Sequence, residues 1–232
     1  MLTMLLRRTD ALLTALLYPR RTICPGCRRL SRGGVLCPRC TQELADCRVQ
    51  GLLCPVCGHP GRGKCTFCGG VLPGRMRSVW HHRGLARRMV HQLKYRGVSV
   101  CAELLSADMA ELAASLDLPE HTLVTWVAMP RSRLKLRGVD HSRLLAQGVA
   151  QRLGLECRCL LTRRDEGRTQ RGLTREERLR NLNGAFACPE QLDRPVLLID
   201  DVLTTSATAQ LCSLTLLQSG APSVTVVTAT QA

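Results

Sequence analysis

The stretch from Pro195 to Thr208 constrains the fold of this 232-residue chain more than any other. The apolar run 196–199 meets two consecutive carboxylates, Asp200 and Asp201, then turns through Thr204, Thr205 and Ser206 into a helical pattern that opens with Ala207 and Thr208. A short apolar run bounded by a turn reads as a buried strand. A buried strand that ends in paired acids has to open onto a polar site, because charge removed from water without partners is strongly unfavourable. Carboxylates so placed accept hydrogen bonds from the vicinal hydroxyls of a sugar. The loop that follows offers backbone N–H groups, hydroxyls and a helix N-terminus to a phosphate. Gly is the usual residue at one point of such a loop, and Ser206 stands there instead.

Other apolar runs extend the pattern. Strands are expected at 76–80, 123–129, 155–161, 196–199 and 224–228, and helices at 84–96, 101–116, 141–153 and 205–219. Strands alternating with helices imply an α/β fold, a parallel sheet covered on both faces, with ligands bound beyond the carboxyl ends of the strands. Leu72-Pro73-Gly74 marks the expected boundary, giving an N-terminal module over 1–74 and the α/β domain over 75–232.

The module is defined by cysteine. Eight of the 14 cysteines form four C-x₂-C pairs, Cys24/Cys27, Cys37/Cys40, Cys54/Cys57 and Cys65/Cys68. Two such turns close one tetrahedral Cys₄ shell, and nearby Arg and Lys favour the thiolate. The expectation is two structural Zn²⁺ ions in tandem ribbons over 22–42 and 52–70, with sequential sharing of pairs preferred and interleaved sharing left open by spacing. Closed Cys₄ shells leave no position for substrate. Cys101, Cys157, Cys159, Cys188 and Cys212 read as core residues. A disulfide-stapled secreted chain is a poor fit to this length and arrangement, so a reducing cytoplasm is expected.

Charge is divided unevenly. Residues 1–97 carry 18 Lys and Arg against 3 Asp and Glu, a difference of +15, whereas residues 98–232 carry 15 of each. A field of that kind attracts polyanions such as DNA, although a solubilising charge that offsets anionic metal clusters would look the same. No run approaches the ~20 apolar residues of a membrane span. The leucines of 1–21, broken by Arg7, Arg8 and Asp10, fit an amphipathic helix packed on the protein rather than a signal peptide.

Further motifs occur in a fixed order: Lys94-Tyr95-Arg96-Gly97, Pro130-Arg131-Ser132-Arg133, Leu136-Arg137-Gly138, Thr169-Gln170, Arg178 with Asn181, and Gly184-Ala185-Phe186. Together with the acid pair and the cysteine module, this series resembles the ComF/GntX family of DNA-uptake and DNA-utilisation proteins. The acid-pair segment itself resembles the phosphoribosyl-pyrophosphate (PRPP) signature of type I phosphoribosyltransferases. The resemblance implies a type I phosphoribosyltransferase-like sheet behind a double zinc ribbon. It implies that Asp200 and Asp201 orient a ribose and that Thr204, Thr205, Ser206, Ala207 and Thr208 hold its 5′-phosphate. Arg131 would face the pyrophosphate, which Mg²⁺ would bridge. The arginine-rich 162–173 would act as a lid. Family members carry Arg-Gly-Phe-Asn-Gln where this chain has Arg137-Gly138-Val139-Asp140-His141, so contacts at those positions do not carry over, and Asp140 is expected to cap the next helix.

Three functions fit. A phosphoribosyltransferase would displace pyrophosphate from PRPP, but no residue stands out as the recogniser of an acceptor, so turnover is left open. A non-catalytic protein would sense a ribose phosphate and hold DNA on its basic ribbons; with six aromatic residues in the chain, contacts to DNA would be directed at phosphates rather than stacked bases. An adaptor would dock a helicase or another uptake protein through the ribbons.

Overall fold

The computed structural model describes residues 21–32, 35–61, 65, 68, 74–96, 99–163 and 185–232. The amphipathic stretch 1–20, the lid segment from 164 onward, Thr169-Gln170, Arg178, Asn181 and the boundary residues Leu72 and Pro73 lie outside the described residues. The chain divides into two compact units, one ending at Asp46 and the other running from Cys47 to Ala232.

In the first unit, β1 (Arg21–Ile23) pairs antiparallel with β2 (Leu30–Arg32), and α1 (Pro38–Ala45) follows with a proline in its first turn. A proline there loses nothing, since the first N–H groups of a helix have no partner within it. The turn between the strands is closed by Cys24 N–H to the Arg29 carbonyl and Arg28 N–H to the Cys24 carbonyl, both 2.8 Å.

The second unit is built on a parallel sheet of four strands, β3 (Arg75–His81), β4 (Leu123–Trp126), β7 (Val196–Leu203) and β8 (Val224–Gln231), in the order β3-β8-β7-β4. Helices α2 (Gly84–Arg96), α3 (Ser99–Ala114), α4 (Arg131–Arg137), α5 (His141–Leu153) and α6 (Ala207–Gln218) connect them, and a short antiparallel pair, β5 (Thr162–Arg163) and β6 (Phe186–Ala187), lies beside the sheet. Every residue of 196–199 is buried, as a strand covered on both faces requires. Val196 and Leu198 pack in one cluster with Leu211, Cys212 and Leu216 of α6. Strand alternation turns Leu197 and Ile199 to the other face. There α3 and α5 approach so closely that a Cβ on Gly148 would collide with the Ser106 hydroxyl.

The expected strand at 155–161 differs. It runs parallel beside β4 through a single bridge, Val124 to Cys157, with Val124 N–H on the Glu156 carbonyl and Arg158 N–H on the Val124 carbonyl. One step further the Thr125 hydroxyl, not a backbone carbonyl, receives Leu160 N–H at 3.2 Å, and the ladder ends. The stretch after β4 also differs: Arg131 begins a helix, α4, which Gly138 terminates in the left-handed conformation (φ 72°) with its N–H on the Leu134 carbonyl.

The cysteines gather sequentially. Cys24, Cys27, Cys37 and Cys40 form one cluster and Cys54, Cys57, Cys65 and Cys68 the other, with all four sulfurs of each within 4.8 Å of one another. Cys27 and Cys37 sulfurs are 3.7 Å apart, and the Cys54/Cys68 and Cys57/Cys65 pairs 3.6 Å. Zinc–sulfur bonds of about 2.3 Å in a tetrahedron place sulfurs about 3.8 Å apart, so both groups have the dimensions of a Cys₄ zinc shell. Burial opposes ionisation of Cys24 and Cys54, but backbone N–H groups of each turn outweigh it and lower them to about 7 and about 6.

The second cluster belongs to the α/β unit. Met76 N–H bonds the Val56 carbonyl at 2.8 Å, and Gly58, at φ +69°, lies where a Cβ would come 2.7 Å from the Met76 carbonyl. The division between units therefore falls between the two clusters, inside the 1–74 stretch that cysteine spacing treats as one module.

Metal is expected to be integral to both clusters, because so few large apolar side chains surround the sulfurs and a structural zinc contributes on the order of 10 kcal/mol. Elemental analysis should find zinc at two ions per chain, one for each cluster. A strong chelator should expose 22–70 to proteolysis. Protease resistance retained after complete metal removal would refute a structural role.

Candidate ligand site at the carboxyl end of the sheet

Strand β7 delivers Asp200 and Asp201 to the carboxyl end of the sheet with alternating aspects. Asp201 is 5% exposed and faces helices, while Asp200 is partly exposed. Two side chains close on the Asp201 Oδ2 atom: Lys94 Nζ from the last turn of α2 at 3.0 Å, and His141 Nε2 from the first position of α5 at 2.5 Å. Asp200 Oδ1 accepts from the Ser142 hydroxyl at 3.1 Å and from the Asp201 backbone N–H at 2.8 Å. Threonines on β8 complete the floor. Thr230 donates to the Asp201 carbonyl at 3.3 Å and meets His82 Nδ1 at 2.9 Å, and Thr228 meets Ser78 at 2.6 Å.

These contacts drive the two carboxyls apart in acidity. Burial and then the charge of Asp201 push Asp200 from its ordinary 3.8 up to about 7, against the opposing pull of the Asp201 N–H, Lys94 and Ser142. Burial also works against ionised Asp201, but the hydrogen bond from His141 and the Lys94 charge outweigh it and hold that carboxyl below the ordinary range. One acid is thus a fixed anion and its neighbour exchanges a proton near neutrality.

The hydroxyl-rich loop lies directly beyond. Thr204 is exposed, Thr205 and Thr208 are partly exposed, and Ser206 and Ala207 are buried. Ser206 has φ +58° and ψ −7°, the left-handed conformation that favours Gly and costs other residues roughly 1–2 kcal/mol. Its hydroxyl is not a helix cap: it donates to the Thr205 carbonyl at 2.6 Å and accepts from the Gln210 amide at 2.5 Å. That network holds the loop in the shape glycine would allow without strain, and it explains how serine is tolerated there.

Arg131 sits at the start of α4, exposed, just past the end of β4, the strand that pairs with β7. The eight module cysteines lie in the two sulfur clusters described above. Asp140 caps α5, accepting Arg143 N–H at 3.1 Å, as the sequence leads one to expect. His141, Ser142 and the pairing role of Lys94 were not legible as site features. The signal existed in part: Lys94 belongs to a motif shared with the resembled family, and His141 stands where that family has an amide.

The chain was compared with proteins of known identity. DNA utilization protein YhgH of Salmonella typhimurium is 32% identical over 214 residues, covering 85% of this chain and 90% of that protein. The protein of the same name in Escherichia coli K12 is 29% identical over 206 residues, covering 82% and 88%. Among solved structures, glutamine PRPP amidotransferase from B. subtilis aligns at 19% identity and a TM-score of 0.36, over 54% of this chain and 26% of that one. The allosteric regulatory enzyme of purine biosynthesis aligns at 20% identity and a TM-score of 0.37, over 55% and 25%. No protein-family profile matches the chain. Among the described residues, no helix is long and apolar enough to cross a membrane.

The raised pKa of Asp200 has a consequence for stability. The folded chain binds that proton more tightly than the unfolded chain, so the stabilisation is complete below about pH 4 and is lost as pH rises through about 7. Asp201, depressed, works in the opposite sense, its contribution being lost as pH falls below the ordinary aspartate value. Asp200→Asn is therefore expected to melt at a higher temperature than wild type at pH 8, with the gap closing toward pH 5. Melting curves that differ by the same amount at both pH values would contradict the assignment.

Proposed function

The chain belongs to the ComF/GntX family of DNA-utilisation proteins, and we propose that it binds a ribose phosphate such as PRPP at the carboxyl end of β7 while acting in DNA uptake or use in the cytoplasm. The observation that carries this reading is the placement of Asp200 and Asp201 toward the carboxyl end of β7, from which Val202 and Leu203 lead into a hydroxyl-bearing loop that enters α6. In this reading the ribose hydroxyls donate to the acid pair, and Thr204, Thr205, Ser206, Ala207 and Thr208 enclose the 5′-phosphate at the N-terminus of α6. Arg131 neutralises pyrophosphate at the end of the adjoining strand. Bound together with pyrophosphate, Mg²⁺ would offset part of its charge.

Lys94 and His141 change what the acids do. With Asp201 already neutralised, the sugar is held by directed hydrogen bonds more than by raw charge. Pentosyl transfer is the reaction such a site would support: the bond from C1′ to pyrophosphate breaks, pyrophosphate leaves with the electron pair, and the lone pair of an acceptor forms the new bond to C1′ while the acid pair holds the ribose in place. Binding without turnover uses the same groups.

The second reading, a non-catalytic DNA-binding or adaptor protein, draws on the +15 confined to residues 1–97. The two readings are compatible, the sugar phosphate occupying the sheet and DNA the basic segment of the chain.

Calorimetry with PRPP and Mg²⁺ tests the first. Wild type is expected to bind, and the doubly substituted Asp200→Asn, Asp201→Asn protein to lose at least about tenfold in affinity, the equivalent of one or more charge-assisted hydrogen bonds. Equal affinity in the two proteins would remove the site from consideration. DNA affinity is expected to fall steeply between 50 and 200 mM salt, as phosphate-directed binding does, and a flat response would exclude it.

A further inference from the structure

On the other side of β4 from the acid pair, a cavity of about 690 Å³ opens at the same end of the sheet. Its size is that of a small-molecule site. Asp200, Asp201 and the loop 204–208 are not part of its wall. It lies between the end of β4, the helices α4 and α5, and the chain segment 159–163.

Its chemistry is specific. Among the described residues its wall carries the arginines Arg131, Arg143 and Arg163 and one carboxylate, Asp140. Asp140 is already committed: one oxygen accepts the Arg143 backbone N–H and the other the Trp126 indole N–H, each at 3.1 Å. The carboxylate therefore caps a helix and locks an aromatic ring. Among the described residues, Arg131 and Arg143 have no carboxylate within ion-pair distance.

The ring so locked has a consequence for shape. The Arg143 guanidinium lies over Trp126, 5.9 Å from its centroid. A guanidinium is planar, so Arg143 adds a flat cationic group to the indole at this wall. Met129, Leu144 and Leu161 supply apolar surface in the same cavity. Apolar walls disfavour a fully hydrated inorganic anion, and two uncompensated arginines disfavour a neutral ring. A flat anion satisfies both.

We propose that this cavity is a second ligand site of the α/β unit and that it takes a planar aromatic or heteroaromatic carboxylate, its ring against the Trp126 side of the cavity and its carboxylate on the Arg143 guanidinium. The site stands independently of the sugar-phosphate reading. Where that reading holds, β4 separates two ligands that share one end of the sheet.

The test is calorimetry on the full-length protein with three probes: phthalate (flat and anionic), succinate (anionic only) and benzamide (flat only). Phthalate is expected to bind wild type about tenfold or more tighter than either of the others. Arg143→Ala is expected to lower phthalate affinity by about tenfold, the worth of a charge-assisted contact. Arg143→Lys, which keeps charge but not planarity, is expected to fall short of wild type. Equal binding of succinate, equal binding of benzamide, no binding of phthalate, or full affinity in both variants would each overturn the proposal. PRPP titrated into Arg143→Ala should bind as it does to wild type, and its loss there would overturn the separation of the sites. If wild type binds phthalate but not PRPP, the sugar-phosphate reading fails and this one stands.

Discussion

Asp201 is a carboxylate taken out of water, and the arrangement of the second unit at this end follows from the need to compensate it. An ionised acid at 5% exposure is tolerable only with partners that restore what hydration supplied. Those partners come from two helices far apart in sequence, Lys94 near the end of α2 and His141 at the start of α5. Their convergence on one oxygen fixes where both helix ends lie over the strands. It also sets the register of neighbouring residues: Ser142, next along α5, reaches Asp200, and Arg137 lies over the Tyr95 ring, 5.3 Å from its centroid, beside Lys94 on α2. A single buried charge thus organises the residues that surround the sheet's functional end.

The same logic separates what was legible in the sequence from what was not. Helix α2 over 84–96 and helix α5 over 141–153 read directly, because amphipathic spacing and capping residues are local signals. The apolar run marks β7 only as far as Ile199, since paired acids look like a strand's end; parallel pairing with β8 continues it to Leu203. The run 155–161 looked like a full strand by composition, yet the Thr125 side chain takes the hydrogen bond that would have extended the ladder. Helix α4 was hidden because arginine and serine after a proline suit a loop equally well. The acid pair was legible as chemistry, whereas its partners were not, because Lys94 and His141 are brought to Asp201 across 107 and 60 residues by tertiary packing alone.

The cysteine clusters answer a different physical demand. A sequence with short strands and few large side chains cannot bury enough apolar surface to order itself, and thiolates at tetrahedral spacing replace the missing core. The folded chain pairs the turns sequentially, two successive C-x₂-C turns closing each shell. What cysteine spacing does not carry is the attachment of the second cluster to β3. That depends on Gly58, whose missing Cβ admits the Met76 carbonyl, and on the backbone bond from Met76 to Val56. A composition shift in the sequence and a boundary between compact units are therefore different things in this chain.

Charge in residues 98–232 sums to zero, 15 of each sign, yet its placement is not neutral. Toward the amino ends of β4 and β7, acids meet arginines in pairs: Glu156 with Arg194 at 2.7 Å, and Glu190 with Arg158 at 3.1 Å. At the carboxyl ends, Arg131, Arg143 and Arg163 share a cavity with Asp140, which caps a helix and holds Trp126. Lys94 and His141 face the acid pair from α2 and α5 at that end. Balanced composition therefore hides a sorting in which one end of the sheet is internally compensated, whereas at the other, among the described residues, Arg131 and Arg143 have no carboxylate within ion-pair distance. Fields of that kind raise the local concentration of small anions before any specific contact forms. A phosphorylated sugar on one side of β4 and a flat carboxylate on the other would be drawn by the same cations, and what tells them apart is the surface each then meets: hydroxyls and backbone N–H groups at 204–208, or an indole locked beneath a guanidinium.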